Sequence, residues 1–123
     1  MAKKVLIADD EDNIRELVRF ALEDEGFEIH EARDGDEAVT MARQTRPDLL
    51  VLDVMMPGKV GYQVCEELKQ DPKTRGIFII LMSARGKSRV EPTGKMQGAD
   101  DVISKPFDPL ELNAKIKKAL GVG

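Results

Sequence analysis

The sequence predicts an α/β fold: a doubly wound sheet of five parallel strands, order 2-1-3-4-5, covered on both faces by five helices. Three observations predict it. Short strand-like runs alternate five times along the chain with segments of helical periodicity. The runs Val5–Ala8, Leu49–Leu52 and Ile77–Met82 are apolar throughout, as strands buried on both faces are. The run Phe27–Ala32 instead alternates apolar and polar residues, which suits an edge strand. The order 2-1-3-4-5 places the second strand at an edge and keeps the first, third and fourth inside, with right-handed crossovers.

Taken in order, the first strand ends in Asp9-Asp10. Ile14, Leu17, Val18, Ala21 and Leu22 then fall on one face of a helix, and Gly26 is expected to close it. Asp34 offers an N-cap for a helix carrying Ala38, Met41 and Ala42. The third strand ends in Asp53, and Met56-Pro57-Gly58 breaks the chain before a helix with Gly61, Val64, Cys65 and Leu68 on one face. Asp71-Pro72 stops that helix. The fourth strand ends at Ser83, and the fifth, Val102–Ser104, ends at Lys105-Pro106-Phe107. The last helix has clear start chemistry: Asp108 as N-cap, Pro109 at its first position and Glu111 at its third. Between the fourth and fifth strands, Pro92 and Gly94 predict a short, bent or late-starting helix within 86–98.

Length and composition bound the rest. The 123 residues predict one domain over 1–123, and the 41% hydrophobic content is ordinary for a soluble protein. A net charge of −4 gives no reason to expect nucleic-acid binding by this domain. No apolar run approaches the roughly 20 residues that span a bilayer, and no cleavage-site pattern follows the N-terminal lysines. The single Cys65 fits a reducing compartment, so cytoplasmic localisation is expected. The ending at Gly121-Val122-Gly123 fits a stand-alone protein and a module of a longer regulator alike.

Ligands of open parallel sheets bind beyond the carboxyl ends of the strands, where strand order reverses. Here that point lies between strands 1 and 3, so Asp9, Asp10 and Asp53 should share one crevice, with Ser83 and Lys105 on the same rim. Close carboxylates repel unless a cation neutralises them. Oxygen ligands with spare water positions suit Mg²⁺. With Mg²⁺ and Lys105 present, a phosphoryl group on one carboxylate could be held by both cations, and Ser83 could donate a hydrogen bond to it. Taken singly, each residue has a plainer role. Asp9 and Asp10 could be loop acids or caps, Ser83 a turn hydroxyl and Lys105 a surface amine; it is their joint placement that points to chemistry. His30 reads as an exposed strand residue without a partner, and Cys65 as core. Lys115, Lys117 and Lys118 complement the last helix's dipole, while Met55 and Met56 read as packing residues.

Asp9-Asp10, Leu50-Val51-Leu52-Asp53-Val54-Met55-Met56-Pro57-Gly58, Ser83-Ala84, Gly98-Ala99-Asp100-Asp101 and Lys105-Pro106-Phe107 together resemble the receiver domain of bacterial two-component response regulators, a CheY-like, flavodoxin-like fold. The resemblance covers about residues 3 to 120. It implies that Asp53 accepts a phosphoryl group from the phosphohistidine of a histidine kinase or histidine phosphotransfer protein. It further implies that Asp10, Asp53 and the backbone carbonyl of Met55 bind Mg²⁺ (or Mn²⁺ in its place), with Asp9 acting through water. Lys105 and Ser83 would contact the phosphoryl group, and the Lys105-Pro106 peptide would be cis. Phosphorylation would alter the 84–120 surface for an unknown downstream protein, in a monomer or a phosphorylation-dependent dimer.

The sequence also departs from the family pattern. Val102 stands where receivers usually carry a switching aromatic, so the output is expected to lean on the 84–98 segment. Met55 and Arg85 occupy positions that tune acyl-phosphate hydrolysis, and their bulk and charge predict a long-lived phosphoryl state. Two alternatives compete with a phosphorylated switch. A Mg²⁺-dependent phosphohydrolase with an aspartyl nucleophile needs a second Asp two residues on, where this chain has Met55, and a capping insertion that it lacks. A receiver serving only as a binding module would not need the intact acid cluster and lysine. The chain is therefore expected to be a switch and not an enzyme in the ordinary sense.

Overall fold

The computed structural model describes residues 2–56, 58–83 and 99–122. Strands β1 (Lys4–Ala8), β2 (Glu28–Ala32), β3 (Leu49–Asp53), β4 (Phe78–Ser83) and β5 (Asp101–Ser104) form one sheet in the order β2-β1-β3-β4-β5. Every neighbouring pair is parallel. The strand order and direction are those the apolar patterning predicts. Among the described residues there are four helices, not five: α1 (Asp12–Leu22), α2 (Gly35–Thr45), α3 (Gly61–Gln70) and α4 (Pro109–Leu120). The irregular helix expected within 86–98, with Pro92 and Gly94, lies outside the described residues, as do Pro57, Ala84, Arg85 and Gly98.

Period-two alternation divides the core into two layers. Leu6, Leu50, Leu52, Ile79 and Leu81 face α2 and α3, where Ala38, Val39, Ala42, Val64, Cys65 and Leu68 meet them. Val5, Ile7, Val51, Ile80 and Met82 face the opposite way, toward Val18 and Leu22 of α1 and Leu112 and Ile116 of α4. Burying each large aliphatic side chain contributes about 1.5–3 kcal/mol, so both helical layers are held by the sheet rather than by their own propensity. Cys65 belongs to this core, and burial pushes its thiol up to about 12, which leaves it unreactive at neutral pH.

The helix starts follow their sequence signals. Asp34 accepts a hydrogen bond from Glu37 N at 2.7 Å, and Asp108 accepts one from Leu110 N at 2.9 Å with Pro109 in the first turn. Gly26 does not close α1. The helix stops at Leu22, and Asp24 and Gly26 both adopt left-handed backbone on the way to β2. Glu23, Asp24 and Glu25 would set three carboxylates at the negative end of the helix dipole, which favours the earlier stop. His30 is likewise not partnerless: its Nε2 lies 2.7 Å from Glu28 Oε2, because residues two apart share one face of a strand.

The start of α3 is only half capped. Gln63 Oε1 accepts from Val60 N at 3.1 Å, but Val60 has no side-chain acceptor to return to the helix. Its extended backbone (φ −73°, ψ 161°) is already that of an N-cap. Val60→Ser should therefore stabilise the domain by about 1 kcal/mol, read as a rise of roughly 4 °C in Tm. An unchanged or lower Tm would show that the Val60 side chain contributes more than the missing cap.

Candidate functional site

Because all strands run the same way, their carboxyl ends share one rim. Asp9-Asp10 follow β1 directly, and Asp53 is the last residue of the adjacent β3. Carboxylate oxygens of Asp9, Asp10 and Asp53 lie within 4.8 Å of one another, with Asp9 and Asp53 buried and Asp10 exposed. Lys105, one residue past β5, reaches both buried acids: its Nζ is 2.9 Å from Asp9 Oδ2 and 3.2 Å from Asp53 Oδ1. Ser83 ends β4 and is buried on the same rim, and its carbonyl accepts from Lys105 N at 2.6 Å. The Lys105-Pro106 peptide is cis.

The loop after β3 is fixed from two directions. Met55 N donates to Asp53 Oδ1 at 3.3 Å, and Val54 N donates to Met82 O on β4 at 3.1 Å. The side chain of Met56 is buried, but that of Met55 is 69% exposed beside the acids and is not a packing residue. Gly61 opens α3 against the backbone of the same loop and donates to Val54 O at 2.8 Å. A Cβ at Gly61 would lie 2.6 Å from Asp53 O and 2.8 Å from Val54 Cα, so only glycine lets the helix approach the acid this closely.

Two residues at the site were not singled out by the sequence reading. Gly61 was assigned to a helix face, and a lone glycine there does not announce a close approach. Arg15, next to Ile14 on α1, is 7% exposed, and its Nη1 donates to Asp9 O at 2.8 Å. The only signal for it was an arginine one residue from the apolar stripe of Ile14 and Val18.

Electrostatically, the rim holds more negative charge than it neutralises. Burial and the charge of Asp9 raise the Asp53 carboxyl above its ordinary pKa, and Lys105 and the Met55 N–H only partly offset them. For Lys105, burial opposes protonation, but hydrogen bonds and charge from Asp9 and Asp53 outweigh it and raise the ammonium further. The lysine therefore stays protonated while Asp53 still lacks positive charge. The donor set is carboxylate oxygen only, with one exposed member, and it fits a hard, partly hydrated cation such as Mg²⁺ or Mn²⁺.

Residues 5–117 match the model of the response regulator receiver domain. The chain is 44% identical over 120 residues to the phosphate regulon transcriptional regulatory protein PhoB of Escherichia coli, covering 98% of this chain and 52% of that protein. It is 42% identical over 121 residues to the alkaline phosphatase synthesis transcriptional regulatory protein PhoP of Bacillus subtilis, covering 98% of this chain and 49% of that one. It thus spans about half the length of these curated relatives. The signal receiver domain of a signal transduction histidine kinase from Syntrophus aciditrophicus superposes with a TM-score of 0.89 at 36% identity, covering 98% of this chain and 91% of that one. No helix among the described residues is long and apolar enough to cross a membrane. With its strand order, its acid-lined rim and these matches, the chain belongs to the receiver-domain family of two-component response regulators.

Proposed function

We propose that Asp53, in a cytoplasmic protein, accepts a phosphoryl group from the phosphohistidine of a histidine kinase or histidine phosphotransfer protein, and that the phosphorylated rim then signals to a downstream protein. The observation that carries this reading is the single ammonium of Lys105 shared between Asp9 and Asp53 at the switch point of the sheet. A carboxylate oxygen of Asp53 attacks phosphorus as the bond to the histidine nitrogen breaks, and that nitrogen leaves with the electron pair and takes up a proton. Lys105, already 3.2 Å from Asp53 Oδ1, turns to the new phosphoryl oxygens, and the Ser83 hydroxyl donates to another. Asp10, Asp53 and the Met55 carbonyl would hold Mg²⁺ or Mn²⁺, with Asp9 acting through water. When bound, the cation offsets charge on the transferring group.

The switch follows from the change in charge. Phosphorylation adds about −1.5 to −2 charges and three acceptor oxygens. These compete with Asp9 for Lys105, whose backbone is bonded to Ser83 at the end of β4. Redirecting that one side chain therefore couples the acid to the β4–β5 edge, where packings that differ by a few kcal/mol can be exchanged.

Incubation with a small-molecule phosphodonor and Mg²⁺, followed by intact mass measurement, tests the proposal. One phosphoryl adduct is expected, lost without Mg²⁺ and lost in Asp53→Ala. An adduct of equal yield in Asp53→Ala would sink the assignment.

A further inference from the structure

Arg15 is the only arginine buried among the described residues. Burying an unpaired cation costs several kcal/mol, so its partners must explain its position. Nε donates to Glu31 Oε1 of β2 at 2.9 Å, and the guanidinium also pairs with Asp12, whose side chain is largely exposed. The remaining bond, from Nη1 to Asp9 O at 2.8 Å, is not an ion pair. That carbonyl belongs to the peptide joining Asp9 to Asp10, so the arginine fixes the plane between two of the clustered acids. The preceding peptide is held as well, by Asp9 N donating to Ala32 O at 3.1 Å. Both peptides flanking Asp9 are thereby tied to edge strand β2, one directly and the other through Arg15 and Glu31.

We infer that Arg15, oriented by Glu31, is a positioning residue for a divalent cation: it sets the mutual placement of the Asp9 and Asp10 carboxylates without touching the ion. Burial alone would raise the Glu31 carboxyl, but Arg19 and Arg15 hold it below the usual carboxylate range, so the orienting charge persists at neutral pH. The inference rests on the proposed reading of the acid cluster as a cation site. Outer partners of metal ligands typically contribute about 10- to 100-fold to affinity.

Mn²⁺ titration of the metal-free, unphosphorylated protein, followed by the electron paramagnetic resonance of free Mn²⁺ well below the melting point, tests it. Wild-type protein should bind one Mn²⁺. Arg15→Met should weaken binding by about tenfold or more, and Glu31→Gln by a smaller factor because an acceptor oxygen remains. Arg15→Lys, whose single ammonium cannot bond Glu31 and Asp9 O in the fork geometry of a guanidinium, should fall between wild type and Arg15→Met. Leu22→Ala, a core change in the same helix, should lower Tm and leave Mn²⁺ affinity unchanged, separating positioning from stability. Arg15→Met with wild-type affinity and only a lowered Tm would overturn the inference while leaving the cation site intact. If Arg15→Met does not fold, Arg15→Lys decides: wild-type affinity overturns the inference, and weakened binding supports it. Failure of wild-type protein to bind, or unchanged binding in Asp53→Ala, would overturn the cation-site reading and this inference with it.

Discussion

Gly61→Ala should lower stability by about 3 kcal/mol and disable phosphoryl acceptance, although alanine is the better helix former. Helix propensity alone favours alanine by at most about 1 kcal/mol. Against that, the new methyl would sit 2.6 Å from Asp53 O and 2.8 Å from Val54 Cα. Both are backbone atoms, and each belongs to a network that resists movement: Val54 N is bonded to β4, and Val54 O to Gly61 itself. Overpacking against such neighbours costs about 1–3 kcal/mol, and more where nothing can turn aside. Relief must come from sliding α3 or shifting the chain at Asp53, and either displaces the acceptor carboxylate from Lys105. Thermal unfolding should show a fall of roughly 10 °C, with phosphoryl yield lost even well below the new Tm. Wild-type stability and yield would show that α3 does not press on the acid.

Lys105→Met should give the second large effect, and its dependence on pH and metal is as informative as its size. The substitution removes the ammonium that touches both Asp9, with no exposed side-chain surface, and Asp53, with 7%. Stranding buried carboxylates costs about 3–5 kcal/mol, and the open rim points to the lower end. Asp53 is already raised above its unfolded value by burial and by Asp9, and losing the lysine raises it further. A carboxyl raised by folding destabilises the native state fully above its folded pKa. The penalty fades as pH falls through that value and is gone below the unfolded value. Metal-free Lys105→Met should thus lose most stability relative to wild type at pH 7 and recover much of it as the medium becomes acidic. Millimolar Mg²⁺ at pH 7 should also restore stability, by linkage to the native state. Urea titrations with and without Mg²⁺ at the two pH values check this. A deficit independent of both pH and Mg²⁺ would show that the lysine acts through packing of its stem and not through charge.

The sheet was legible because burial leaves a direct trace in composition. Strands covered on both faces cannot carry polar residues, so Val5–Ala8, Leu49–Leu52 and Ile77–Met82 mark themselves as central, and Asp9, Asp10, Asp53, Ser83 and Lys105 inherit one rim from the strands they end. Helix starts at Asp34 and Asp108 were equally plain, since capping is local chemistry. What escaped depends on contacts distant in sequence. Arg15 looks like a surface arginine until β2 brings Glu31, 16 residues on, against it. Gly61 looks like an ordinary helical glycine until the loop from Asp53 packs on it. The end of α1 was missed for a different reason: two left-handed residues, Asp24 and Gly26, share the exit, and only the glycine advertises it. Met55 and Met56 read alike in sequence, two apolar residues after the acceptor; Met56 does pack, but alternation along the loop turns Met55 outward.

Reductive trapping tests most directly whether the shared rim makes Asp53 the phosphoryl acceptor. The protein would be phosphorylated with a small donor and Mg²⁺, treated with borohydride to convert an aspartyl phosphate to homoserine, then digested and mapped by mass. Conversion at Asp53 alone, absent without donor or Mg²⁺, is the predicted result. Conversion at Asp9 or Asp10, or a stable adduct on another residue with Asp53 unchanged, would contradict it.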